Sequence, residues 1–247
     1  GISHSTKQGA LKAQRARAGI RRMLELAHVV TTTSPALAEQ YCAWGAARVR
    51  VVDNFLPARY AVSTSPPRED HTVTIGWTVG AEHRHDLLAL GMRETLKDLL
   101  AAYAHVRVVS IGLDLGLSCA GYRRQGLVQY GELADHVAGF DIGIAPLDDI
   151  PFNRARSSVK LKEYAAAGVS WLASPIGPYA ALGERQGGRL VPDGAWYREL
   201  ERLVLDARAR GKLAKRGRKW AAGQTVAANL AVWEDVLAEA VEVARGS

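Results

Sequence analysis

The residues best placed to do chemistry lie in one stretch, Pro146–Pro175, which reads PLDDIPFNRARSSVKLKEYAAAGVSWLASP. Ser157 and Ser158 precede a short helix expected over Val159–Ala167, where a hydroxyl can accept an orphan backbone N–H. Lys160 and Glu163 are three residues apart, so both face the mouth of that helix. An ammonium, hydroxyls and free backbone N–H groups at a helix start attract phosphate. The stretch is therefore expected to hold a nucleotide diphosphate. Asp148 and Asp149 are the paired carboxylates beside it. They lack Asp-x-Asp spacing, and no obligatory metal is expected. No spacing suggests a Ser-His-Asp or Cys-His nucleophile.

These side chains need strands and helices to deliver them. Asp141–Leu147 (DIGIAPL) reads as a buried strand, Asp148–Arg156 as a charged loop, and Gly168 as the stop of the helix. Val169–Ala173 returns as a strand. Upstream, Thr72–Trp77 reads as a strand, Thr78-Val79-Gly80 as a turn flanked by Gly76, and Asp86–Tyr103 as one helix. Leu88, Met92, Leu96, Leu99 and Tyr103 would be its buried face. Val106–Ile111 and Leu127–Tyr130 read as strands, Glu132–Ala138 and Pro178–Arg185 as helices, and Arg189–Val191 as an edge strand.

At the start of the chain, Lys7–Ala27 and Pro35–Trp44 read as helices, with His28–Thr32 and Arg48–Val52 as strands. Ser34-Pro35 is a helix-start signal and Gly45 a stop. A last helix carries the stripe Val226, Leu230, Trp233, Leu237 and Val241, suited to core packing or to a neighbouring domain. Alternating strands and helices imply an α/β fold with a doubly wound parallel sheet. The expected domains are 1–57, a linker over 58–71 rich in Ser, Thr and Pro, a doubly wound α/β unit over 72–224, and a closing helix over 225–247.

The net charge of +7 is unevenly spread. Residues 1–24 hold six bases and no acid, and residues 208–219 hold seven bases and no acid. The remainder carries 19 bases against 25 acids, a net of −6. The two basic stretches read as solvated helix faces or as sites attracted to an anionic membrane surface or acceptor. Nucleic acid is not expected, because no aromatic interleaving or recognised motif accompanies them. Cys42 and Cys119 match no metal or redox spacing and read as reduced, buried thiols of a cytosolic protein. No run has the ~18 apolar residues of a membrane span. The Ala- and Arg-rich composition suits a high-GC bacterium or its phage.

Four segments, in order, carry a family resemblance. They are AHVVTTTSPALAEQY with RVRVVDNFLP, then IGWTVGAEHRHDL, then GLVQYGELADHVAGFDIGIAPL, then SSVKLKEYAAAGVSWLASPIGPY. Together they resemble the family-4 type of GT-B glycosyltransferases, over roughly residues 27–190. The resemblance implies a Rossmann-like donor domain, a partial N-terminal α/β domain and C-terminal helices. It also implies transfer from a nucleotide-diphosphate sugar, such as a UDP or GDP sugar, with retention and no obligatory cofactor. Glu163 would contact the donor ribose and Lys160 the phosphate. Gly76, Trp77, Thr78, Gly80, Tyr130, Ser157 and Ser158 would complete the donor site. The family's first motif glutamate falls on Ala155, so the catalytic candidates are Asp149, Asn153 and His85. A GT-B enzyme needs a full acceptor domain, so the chain is expected to be a fragment. Its acceptor, whether protein, glycan or lipid, is not specified. The alternatives are a degenerate nucleotide- or partner-binding domain and another GT-B enzyme, such as a nucleotide-sugar epimerase.

Overall fold

The computed structural model describes residues 7–61 and 71–246. The chain divides into two compact units. One contains the residues up to Asn54, Ala155–Ser157 and the residues from Asn229 on; the other contains Phe55–Arg154 and Ser158–Ala228. Most of the expected linker, residues 62–70, lies outside the described residues, and Ala58–Ala61 forms a 3-10 turn.

The first unit begins with helix α1 (Lys7–Leu26), strand β1 (Val30–Thr32), helix α2 (Pro35–Ala43) and strand β2 (Val49–Val51). β1 and β2 pair in parallel. Ser34 caps α2, its Oγ accepting the Leu37 N–H at 3.3 Å, with Pro35 at the first helical position. On α1, Leu24 is buried while Ile20 and Met23 are exposed. Cys42 is exposed, and so is Cys119 in the other unit, contrary to the burial expected of small apolar thiols.

The second unit holds a six-stranded parallel sheet. Its elements are β3 (Val73–Val79), α3 (Arg84–Ala89), α4 (Met92–Ala102), β4 (Val106–Gly112), β5 (Tyr122–Gln125) and α5 (Leu133–Ala138). They continue with β6 (Ile142–Ala145), α6 (Pro151–Arg154), α7 (Val159–Ala166), β7 (Ser170–Ala173), β8 (Gly188–Leu190), α8 (Trp196–Leu205) and α9 (Ala207–Ala221). The spatial order is β5-β4-β3-β6-β7-β8. Counted from β3, that is the order of doubly wound dinucleotide-binding sheets, with the switch point between β3 and β6. Ile75 there pairs with Ile142, and Gly76 with Gly143. The central strands are buried on both faces, as their continuous apolar runs require. Trp77, Leu96, Leu99, Ile142 and Leu200 belong to one core cluster; Phe140, Leu161, Tyr164 and Trp171 belong to another.

Four expected elements differ. The helix expected over Asp86–Tyr103 breaks at Gly91, where φ is +60°. The break resets the helical phase, so Leu87 is buried while Leu88 is exposed. The strand expected at Leu127–Tyr130 is instead β5, whose residues pair with Val108–Ile111; Leu127 is 92% exposed. The helix expected over Pro178–Arg185 is two 3-10 turns, Gly177–Tyr179 and Glu184–Gln186. The charged loop after β6 contains the one-turn helix α6. The chain closes with α10 (Leu230–Arg245), in the first unit, where Glu239 pairs with Arg50 at 3.0 Å. The stripe Val226, Leu230, Trp233, Leu237 and Val241 is exposed rather than core, and Val236 is the buried residue of α10. Among the described residues no helix is long and apolar enough to cross a membrane.

Candidate functional site

The carboxyl ends of β3 and β6 deliver their following segments to the switch point, where open α/β sheets bind ligands. Tyr164 ties the two strands from α7. Its buried hydroxyl donates to the Ile144 C=O at 3.0 Å and accepts the Thr78 N–H at 3.2 Å. Burial holds this phenol protonated, well above its ordinary range.

A buried polar chain begins where β3 ends. His83, 1% exposed, places Nδ1 2.7 Å from Asp86 Oδ2. His83 Nε2 lies 3.1 Å from Lys160 Nζ. With Nδ1–H donating to Asp86, Nε2 is left to accept from the ammonium, which fixes the neutral tautomer. Asp86 Oδ1 accepts the Asp148 N–H at 2.9 Å and Asn153 Nδ2–H at 2.7 Å. Asn153 also donates to the Asp148 C=O at 2.9 Å. Burial raises the Asp86 carboxyl, but hydrogen bonds from His83, Asp148 and Asn153 outweigh it and hold the group below the usual carboxylate range. Three elements thus fix the position of one cation at the mouth. Removing one member would strand buried donors at about 1–3 kcal/mol each.

Glu163 is 6% exposed, and burial pushes its carboxyl above the ordinary range. Tyr60, Lys160 and Arg59 pull in the other direction. The buried Tyr60 hydroxyl meets no partner in hydrogen-bond geometry, yet Glu163 is close enough to help burial hold the phenol protonated. Lys162, on the same helix, is buried with Nζ 5.2 Å from the centre of the Phe55 ring.

The expected site residues divide. Lys160, Glu163, Thr78, Gly80, Asn153 and Ser158 all belong to the second unit, the one holding this sheet. Gly80 follows β3, and no side-chain hydrogen bond caps the 3-10 turn after it. Ser158 stands at the start of α7 but its hydroxyl does not form the expected cap. Ser157 falls in the other unit and accepts Asn54 Nδ2–H at 3.0 Å. Tyr130 is exposed, with the Arg59 guanidinium 4.3 Å from its ring centre.

Two expected site residues are packed in the core. Gly76 lies inside β3, and a Cβ there would run into the Phe140 ring. Its smallness is required by the core. Trp77 is buried in the core, 5.9 Å from His83 edge-on, and offers no face to a base. Among the catalytic candidates, Asp149 is engaged by Arg154 at 2.6 and 2.8 Å, which holds it below the usual carboxylate range. His85 is exposed and pairs with Asp148 at 2.6 Å. Asn153 is buried behind Asp86. Ala155, in the first unit, accepts Ser34 Oγ–H at 2.9 Å through its carbonyl. Sequence reasoning missed His83, Tyr60 and Tyr164. The His83-x-x-Asp86 spacing was the available signal for the first. Among the described residues no group of three or more His, Cys, Asp or Glu could hold a metal.

No protein-family model matches the chain, and no curated protein matches it. Solved structures do. HepE from Anabaena, in complex with UDP and glucose, superposes with a TM-score of 0.67 at 15% identity, over 90% of this chain and 67% of that one. Sucrose-phosphate synthase from Thermosynechococcus elongatus gives 0.65 at 17% identity, over 98% and 63%. A point mutant of TarM from S. aureus, crystallised with fondaparinux, α-GlcNAc-glycerol and UDP, gives 0.63 at 12% identity, over 90% and 45%. The fold is GT-B. The chain spans 63% of the sucrose-phosphate synthase and 45% of TarM. The six-stranded unit has Rossmann-like topology, and the Lys160–His83–Asp86 chain lies at its switch point.

Proposed function

We propose that the chain carries the donor site of a glycosyltransferase, one that moves a sugar from a nucleotide-diphosphate sugar to an acceptor hydroxyl with retention. The observation that carries this reading is Lys160, held at the sheet switch point by His83 and Asp86. A fixed ammonium there neutralises the diphosphate as its bond to the sugar breaks. Gly80 allows backbone to approach the same anion. Glu163 accepts the ribose hydroxyls, and Tyr130 offers an aromatic face to the base. HepE and TarM were crystallised with UDP, which favours a uridine donor here. The acceptor is a protein, glycan or lipid, and an anionic membrane surface suits the basic helices. No cofactor is needed for this chemistry.

One observation favours a second reading. Ala155 stands where the family resemblance places a sugar-contacting glutamate, and Asp149 is taken by Arg154. A domain that binds nucleotide without transferring sugar would tolerate both.

Calorimetric titration of the chain with UDP and GDP tests the donor reading. Saturable binding is expected, lost in Glu163→Ala and about tenfold weaker in Lys160→Ala. Failure of both nucleotides to bind would sink it. Binding without release of UDP from UDP-sugars, with any acceptor or none, would select the second reading. Interconversion of the sugar would instead reveal an epimerase.

A further inference from the structure

The outer face of α9 carries Arg208, Lys212, Lys215 and Lys219, all exposed. They stand at i, i+4, i+7 and i+11. At 3.6 residues per turn they fall within about 60° of one another and form a straight stripe roughly 17 Å long. The opposite face of the helix is buried through Leu213, Gly217 and Ala221. None of the four cations makes an ion pair or hydrogen bond among the described residues. The nearby acids are committed elsewhere. Glu184 holds Arg189 at 3.0 Å and Arg216 at 2.9 Å, and Asp206 caps α9 by accepting the Ala209 N–H at 2.8 Å.

Like charges one turn apart destabilise a helix. The stripe therefore runs against its local electrostatics. Nor does it reflect a generally basic surface, since the chain outside its two basic stretches has a net charge of −6. We propose that this stripe docks the protein on an anionic lipid surface. A straight line of cations on a convex helix meets a plane with all four heads at once. A nucleic-acid partner fits less well, because no exposed aromatic accompanies the stripe for base stacking. The docking goes beyond the donor site and does not rest on it.

Vesicle sedimentation of the full chain tests the proposal, with phosphatidylcholine alone or mixed with phosphatidylserine, across a salt series. Binding is expected only with phosphatidylserine, and high salt should abolish it. Each base contributes about fivefold to the partition, so R208E/K212E/K215E/K219E should lose at least about 600-fold. Exchange of the same four between Lys and Arg should preserve binding. Circular dichroism and UDP titration report the folded state of each variant. If the fourfold reversal fails to fold, K212Q/K215Q carries the test with a loss of about 25-fold. Unchanged sedimentation of the α9 variant, indifference to phosphatidylserine, or binding to duplex DNA in place of vesicles would overturn the proposal.

Discussion

Burial sets the Glu163 carboxyl above its ordinary range, against the pull of Tyr60, Lys160 and Arg59. An acid whose folded-state pKa is raised is a liability once it ionises. Its protonated form is favoured in the fold, so the native state binds more protons than the unfolded chain. Stability then falls as pH rises from the ordinary carboxylate range through the raised value. Above that window the chain carries the full cost. Glu163→Gln keeps the shape and removes the charge. It should raise Tm by about 3 °C at pH 7, with the advantage vanishing at acid pH, as thermal melts across pH would show. The same variant should bind UDP at least about tenfold more weakly, because hydroxyls donate more strongly to a carboxylate than to an amide. A stabilising substitution that loses binding is the signature of a residue retained for a ligand. An unchanged or lowered Tm at neutral pH would remove that argument.

At the scale of elements, the strands that position the site were legible where their residues are apolar. Thr72–Trp77, Val106–Ile111 and Asp141–Leu147 each lie on a buried strand, β3, β4 and β6. The edge strand β5 reads YRRQ and offers no apolar run; only its pairing with β4 makes it a strand. Lys160 and Glu163 were visible because both sit on one short helix. His83 was not, since its burial needs Trp77, Asp86 and Lys160 to converge from three elements. The two glycines of the β3 segment look equivalent in sequence but differ in place. A Cβ at Gly76 would enter the Phe140 ring, whereas one at Gly80 would meet the Glu82 carboxylate. A ring packed in the core cannot move aside, but the end of a partly exposed side chain can. Gly76→Ala should therefore cost about 3 kcal/mol in urea unfolding and leave the UDP affinity of the folded protein unchanged. Gly80→Ala should cost under about 1 kcal/mol and weaken UDP binding, if backbone at the strand end approaches the phosphates.

At the scale of the whole molecule, the six-stranded unit contains its own cores, its own switch point and the proposed donor residues, Ser157 apart. The first unit contributes a two-stranded sheet with exposed helices α1 and α10. A two-stranded sheet is marginal by itself, whereas three or more strands with packed helices can stand alone. Residues 55–228 expressed separately should thus unfold in one cooperative transition. Every proposed donor residue, including Ser157, lies within that span. UDP should bind it with a Kd within about threefold of that of the full chain, a difference under about 0.7 kcal/mol. Calorimetry on the two forms decides the point. A loss of about tenfold or more would mean that the residues before 55 or after 228 shape the nucleotide pocket, and the donor site would then have to be redrawn to include them. Equal affinity would confine the donor chemistry to one unit and leave the other free for the acceptor.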